Sequence, residues 1–202
     1  MLTTAQRIET IITTRPFNSY NKAHEVKTCK TIHLQSTRKG IWNHRDVRRG
    51  VVILGDSHAR RIASELLQQS NHQVSATGYV KSNSGLIELL RSAKCDINKL
   101  SRRDVVIVIG GPNDIGKSEL NTKLTSLLKF LDAVQRTNII LTEIPVRYYI
   151  SASSWNNEQI KQYDRKLSKV TKSYKQAKLI RITTNREHYT EHGLHLNNGG
   201  KE

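Results

Sequence analysis

The sequence predicts an α/β domain built on a five-stranded parallel sheet, and three observations carry that prediction. Five short apolar runs rich in β-branched residues recur along the chain, which is typical of strands buried on both faces. Amphipathic helical stretches separate these runs, so right-handed crossovers should cover the sheet on both sides. The length of 202 residues suits one such domain with a real core.

The strands can be placed by their apolar runs. They are predicted at Val51–Leu54, Gln73–Val80, Asp104–Ile109, Asn138–Thr142 and Lys178–Ile182.

The helices between the strands follow from apolar residues at helical spacing. A first helix is expected to begin beside Ser57, and the others are indicated by the stripes Leu86, Leu89, Leu90 and Ala93, then Leu120, Leu124, Leu127, Leu128, Leu131 and Val134, then Ile160, Tyr163, Leu167, Val170 and Tyr174.

Polar residues follow several of the predicted strands directly. Ser57 comes after the first strand, the 79–85 segment after the second, Asn113 after the third and His195 after the fifth. Ligands of parallel sheets bind outside the carboxyl ends of the strands. The topology therefore predicts an active site that brings these residues together.

A serine at a strand–turn–helix junction is chemically useful. Gly55 permits a tight turn, and backbone N–H groups at a helix start can stabilise an oxyanion next to the Ser57 hydroxyl. His195 would be the base, and Asn113 would be an oxyanion donor. The alternatives are structural: Ser57 as a helix cap, Asn113 as a turn residue and His195 as an ordinary loop histidine.

Three sequence blocks resemble those of the SGNH (GDSL-like) hydrolases: residues 55–58 (GDSH), 111–114 (GPND) and 192–197 (HGLHLN). The resemblance extends from about residue 50 to the end, and in local style it is similar to SGNH-like domains of insect genomes and mobile elements. It implies a flavodoxin-like α/β/α sandwich and an esterase or deacetylase acting on a small ester or acetylated substrate. It also implies Ser57 as nucleophile and N–H donor, Asn113 as side-chain oxyanion donor and His195 as general base.

The chain departs from this family pattern in two places. His192 occupies the position of the family's acidic residue, three before the histidine. The residues that could orient or support the base are then Asp56, Glu143, Glu191 and His192. A backbone carbonyl could also orient His195 in a Ser57–His195 dyad.

The second departure is in the block that supplies the oxyanion glycine. Asn83 stands where that glycine is expected, and Gly85 follows two residues late. Either backbone N–H can still serve as a donor.

The charge is strongly positive. The chain has 33 Lys and Arg against 17 Asp and Glu, a formal net charge of +16 and a pI near 10.1. This balance favours polyanionic partners. The second functional hypothesis is therefore an SGNH-like domain with little or no catalysis that binds nucleic acid non-specifically through its basic surface. The scarcity of aromatic residues for base stacking argues against it.

Two regions of unequal character are expected. Residues 1–49 are predicted to form a basic, largely irregular extension, and residues 50–202 the SGNH-like domain, truncated where a closing helix would begin. Cys29 and His33 make only half of a zinc site, so neither metal nor cofactor is expected. No signal peptide or membrane span is recognisable, which predicts a cytoplasmic or nuclear protein. A monomer is expected.

Overall fold

The computed structural model describes residues 49–71, 73–92, 94–116, 120–182 and 184–201. The strands are β1 (Arg49–Gly55), β2 (Val74–Val80), β3 (Val105–Ile109), β4 (Asn138–Thr142) and β5 (Ala177–Ile180). The helices are α1 (Ile62–Gln69), α2 (Leu86–Ser92), α3 (Lys94–Ile97), α4 (Leu120–Ala133), α5 (Trp155–Lys172) and α6 (Asn198–Lys201). Short 3₁₀ turns occupy Ser57–Ala59, Pro112–Asp114 and Arg186–His188.

The five strands form one sheet in the order β2-β1-β3-β4-β5, and every pair is parallel. Gly55 at the end of β1 lies beside Val80 of β2 and Ile109 of β3, so three carboxyl ends are level. The chain runs from β1 outward to β2 and then returns to the other side of β1 as β3. The edge between β1 and β3 is therefore a topological switch point, where α/β sheets bind their ligands.

Alternating strand residues fill two hydrophobic clusters, one on each face of the sheet. Val52 and Leu54 pack in the cluster that also contains buried residues of α2, α4 and α5. Val51 and Ile53 pack in the other, with Ile62 and other residues of α1. The predicted α/β architecture, a parallel sheet flanked by helices, is confirmed. Among the helices described, none is long and apolar enough to cross a membrane.

The predicted start of the first helix and the predicted end of the fifth strand are wrong. The α-helix after Ser57 begins only at Ile62, because a 3₁₀ turn comes first and Arg61 adopts a left-handed conformation with φ of 69°. The fifth strand ends at Ile180. Its apolar continuation, Ile182, is buried in a separate small cluster with Tyr189 and Leu196.

Candidate active site

The turn that carries Ser57 is made possible by Gly55. A Cβ at this position would collide with Ala59 and lie 2.8 Å from the Ile109 carbonyl oxygen. The buried Asp56 then caps the 3₁₀ turn, because its Oδ1 accepts a hydrogen bond of 2.9 Å from the His58 backbone N–H. Ser57 is left half-buried at the carboxyl end of β1. Asp56, not Ser57, is therefore the capping residue here.

A compact hairpin positions His195. Tyr189 and Leu196 form an antiparallel bridge, and the Thr190 N–H donates to the His195 carbonyl at 2.8 Å. Gly193 turns the chain with φ of 66°, and its carbonyl accepts from the Tyr148 N–H at 2.8 Å. The small cluster around Tyr189 thus holds the histidine over the end of the sheet.

The structure brings Ser57 and His195 together. The Ser57 Oγ lies 3.4 Å from the His195 Nδ1, although 138 positions separate them in the sequence. The His58 ring packs against His195 at a centroid distance of 4.9 Å and an angle of 49°. His58 itself is only 2% exposed, and its Nδ1 has no hydrogen-bond partner among the described residues.

The surroundings favour the neutral form of both histidines. Burial lowers the pKa of His195, and the positive charges of Lys201 and Arg60 lower it further. Burial, together with His195 and Lys201, lowers the pKa of His58 to about 3. A neutral His195 can accept a proton from Ser57 at neutral pH, whereas its charged form receives little support.

Asn113 points into the same region, from the turn after β3. Its Nδ2 donates to Asp56 Oδ2 at 3.2 Å and to the Ser84 carbonyl at 3.1 Å. Both amide hydrogens are therefore engaged, and an oxyanion would have to replace one of these acceptors. Burial raises the pKa of Asp56 to about 6, and the nearby Asp114 raises it as well.

The two donor positions in the segment after β2 differ in character. Asn83 adopts a left-handed conformation with φ of 62°, and it is exposed. Gly85 lies against Asp114, whose Oδ1 would be 2.5 Å from a Cβ at this position. Asp114 accepts the Leu86 N–H at 2.7 Å and pairs with Lys123 at 2.7 Å. Gly85 is thus required by packing. Within the described chain, the N–H groups of Ser57, Asn83 and Gly85 have no protein acceptor.

The carboxylates predicted as orienting groups lie elsewhere. Asp56 bonds Asn113 and the His58 backbone, Glu143 pairs with Arg181 at 3.6 Å, and Glu191 is exposed. His192 is exposed as well. In the part of the chain that the structure describes, the only hydrogen bond of the His195 ring is to Ser57.

Metal ligands do not gather in the described part of the molecule. The described residues contain no group of three or more His, Cys, Asp or Glu side chains arranged to hold a metal ion. Cys29 and His33 lie outside the described residues, as does nearly all of the predicted basic extension.

Sequence reasoning missed three cations next to the candidate site: Arg60, Arg61 and Lys201. Arg60 and Lys201 act on the pKa of His195, and Arg60 and Arg61 act on that of Lys201. The position of Arg60 and Arg61, three and four residues after Ser57, was a signal for two of them. Nothing in the sequence placed Lys201 beside them.

Comparison with known proteins gives matches to solved structures. A GDSL-like lipase from Bacteroides thetaiotaomicron aligns with a TM-score of 0.60 and 15% identity over 75% of this chain and 82% of its own. A candidate acylhydrolase from Bacteroides fragilis aligns with a TM-score of 0.60 and 16% identity over 75% of this chain and 80% of its own. A candidate platelet activating factor from Streptococcus pneumoniae aligns with a TM-score of 0.59 and 22% identity over 78% of this chain and 81% of its own.

No protein-family model and no curated protein matches the sequence. The structural matches include a GDSL-like lipase, a candidate acylhydrolase and an acetyl esterase. The chain therefore has the SGNH (GDSL-like) hydrolase fold.

Proposed function

We propose that this protein is a serine esterase or deacetylase in which Ser57 is the nucleophile and His195 the general base. The observation that carries the proposal is the 3.4 Å separation of Ser57 Oγ and His195 Nδ1, at the switch point of a sheet with the GDSL-like fold. Nucleophile and base within hydrogen-bond reach are the core requirement of covalent ester hydrolysis. The substrate is an ester, of which an acetylated compound is one example.

The reaction follows from this arrangement. Ser57 Oγ attacks the ester carbonyl carbon while its proton moves to His195 Nδ1, and a tetrahedral oxyanion forms. The N–H groups of Ser57 and of Asn83 or Gly85 are the available donors for that oxyanion, and Asn113 joins them if its amide turns from Asp56. The His195 proton then leaves with the alcohol. Water, deprotonated by His195, hydrolyses the acyl-enzyme and regenerates Ser57.

The rate should be modest. A triad carboxylate orients the histidine and stabilises its charged form, and its loss costs up to ~10⁴-fold in serine hydrolases. The only hydrogen-bond partner of the His195 ring in the described chain is Ser57, and two cations disfavour its protonation. Slow turnover with preserved reactivity of Ser57 is the expected behaviour.

Labelling with a fluorophosphonate probe tests the proposal directly. We expect the purified full chain to be labelled at Ser57, and Ser57→Ala to abolish labelling. Ser126→Ala on α4 is the matched control, since the Ser126 hydroxyl merely donates to the Thr122 carbonyl. His195→Gln should slow labelling at least ~100-fold, in line with the usual contribution of a general base. Equal labelling of the native chain and Ser57→Ala would refute the proposal.

A second function, nucleic-acid binding with weak or absent catalysis, is favoured by the net charge of +16. Electrostatic attraction to phosphates needs no sequence-specific site. The two functions make different demands on Ser57, because nucleic-acid binding should survive Ser57→Ala.

A further inference from the structure

Three basic side chains gather around the Ser57–His195 pair. Arg60 and Arg61 follow the 3₁₀ turn that carries Ser57, and Lys201 lies in α6 beyond His195. Lys201 and Arg60 are both close enough to His195 to lower its pKa. Burial lowers the pKa of Lys201, and Arg61 and Arg60 lower it further. Arg61 Nη1 also lies 3.5 Å from Oδ1 of Asn198, in the same helix as Lys201, so the three cations belong to neighbouring elements beside the proposed base.

Among the described residues, these cations have no acidic counter-ion. Arg60 Nη2 donates to the neutral Ser82 Oγ at 2.7 Å, and Arg61 Nη1 donates to the neutral Asn198 Oδ1 at 3.5 Å. The salt-bridge contacts found in the same part of the chain involve other basic residues: Lys81, Lys99, Lys123, Lys161, Arg181 and His188. Like charges held together without an acid raise the energy of the unliganded site.

The backbone adds a second cost at the same place. Arg61 has a φ of 69°, a left-handed conformation that is uncommon for a residue with a Cβ. Such conformations persist where the surrounding structure imposes them, and they concentrate at functional sites. The left-handed Arg61 lies where the chain passes from the Ser57 turn into α1.

We propose that Arg60, Arg61 and Lys201 form an anion subsite that selects esters carrying a carboxylate or phosphate close to the scissile bond. This inference rests on the proposed function, because it names the substrate class of the same site. Guanidinium groups bind carboxylate and phosphate with two parallel hydrogen bonds, and an ammonium adds a point charge.

The bound anion also bears on catalysis. Its negative charge would offset the cations that disfavour protonated His195. The substrate would thus supply part of the electrostatic support that the family's acid provides and that His192 does not. An anionic substrate should therefore gain in kcat as well as in KM.

The activity test compares two esters with the same leaving group and acyl length. Mono-p-nitrophenyl glutarate carries a carboxylate, and p-nitrophenyl pentanoate does not. For the full chain, with spontaneous hydrolysis subtracted, we expect kcat/KM to favour the glutarate ester by at least ~10-fold, the factor typical of one good charge-assisted hydrogen bond. A preference for the neutral ester would overturn the subsite.

Matched charge variants test whether these three cations cause the preference for the glutarate ester. Arg60→Gln/Arg61→Gln/Lys201→Gln should reduce it to within ~2-fold, because the charged donors are removed. The control Arg102→Gln/Arg103→Gln/Lys169→Gln removes the same charge from exposed positions. Arg102 and Arg103 lie just before β3, at the end of the sheet away from Ser57, and Lys169 lies on α5, so this variant should retain the preference. Equal preference in both variants would overturn the assignment.

A binding test separates the subsite from the chemistry. In full-chain Ser57→Ala, the His195 ring can be titrated by NMR with and without glutarate or inorganic phosphate. Either anion should raise the pKa of His195 saturably, and the ligand that does so identifies a carboxylate or a phosphate site. No rise with either anion overturns the subsite, even if Ser57 is labelled by fluorophosphonate. A rise only with a short oligonucleotide also overturns it and favours the nucleic-acid function.

Discussion

At the scale of residues, the orientation of the His195 ring decides which of its nitrogens faces Ser57. His195 presents Nδ1 to Ser57, so Nε2 is the nitrogen left for an orienting partner. Asp56, the carboxylate nearest to Ser57 in sequence, is buried and committed to Asn113 and the His58 backbone. His192 occupies the position where the family pattern has an acid, so a carboxylate placed there tests the proposed dyad.

Replacing that residue should increase the rate. We expect His192→Asp to raise p-nitrophenyl acetate hydrolysis at least ~10-fold, because a carboxylate near His195 would hold the ring and stabilise its charged form. His192→Asn, which has the same size as the aspartate variant without the charge, should give no gain. The increase should also vanish when Ser57→Ala is combined with His192→Asp. Equal rates for the aspartate and asparagine variants would contradict the dyad.

At the scale of elements, a half-buried acid, Asp164, joins α5 to the chain after β4. Asp164 Oδ1 accepts the Ile144 N–H at 3.1 Å. Burial raises the pKa of Asp164 to about 7, and the neighbouring Glu143 raises it further. Because the folded state binds this proton more tightly than the unfolded chain, Asp164 stabilises the fold below about pH 4, and this contribution is lost as the pH rises to about 7.

Removing the charge should reverse that loss. Asp164→Asn keeps an oxygen acceptor for Ile144 and cannot ionise, so its stability relative to the native chain should increase by about 2 kcal/mol between pH 5 and pH 8. Urea unfolding at the two pH values measures this change. Asp132→Asn, at an exposed acid of α4 that accepts from Tyr174, is the control and should show no comparable gain. A gain that is the same at both pH values would contradict the raised pKa.

At the scale of the whole molecule, the formal charge of +16 is the dominant feature. It predicts weak, non-specific binding to DNA or RNA whose affinity falls steeply as salt rises. The basic residues before and at the start of β1 are the first candidates for binding phosphates.

Charge removal in the full chain tests this expectation. Arg45→Gln/Arg48→Gln/Arg49→Gln should make the slope of log K against log salt shallower, by about 0.9 for each phosphate of duplex DNA that the variant no longer neutralises. Affinity should be measured by fluorescence anisotropy with a labelled random duplex. The control Lys161→Gln/Arg165→Gln/Lys169→Gln removes the same charge from α5. Binding that does not depend on salt would remove the electrostatic argument.

The sequence alone determined the alternation of elements and the edge at which the functional residues meet. Both are consequences of local pattern: apolar β-branched runs become buried strands, and parallel connections bring their carboxyl ends to one side. Ser57, Asn113 and His195 could be assigned to that edge for this reason. The boundaries of α1 and β5 could not be predicted, because the capping by Asp56 and the packing of Ile182 override the local apolar pattern.

Only the tertiary structure decided the geometry and the electrostatics of the site. The 3.4 Å approach of Ser57 to His195, the engagement of Asn113 by Asp56, and the grouping of Arg60, Arg61 and Lys201 join residues far apart in the sequence. Hydrogen bonds and charge interactions depend on distances of a few ångströms and on burial. Local sequence pattern carries neither quantity, because both arise when the β1 turn, the His195 hairpin and α6 meet over the end of the sheet.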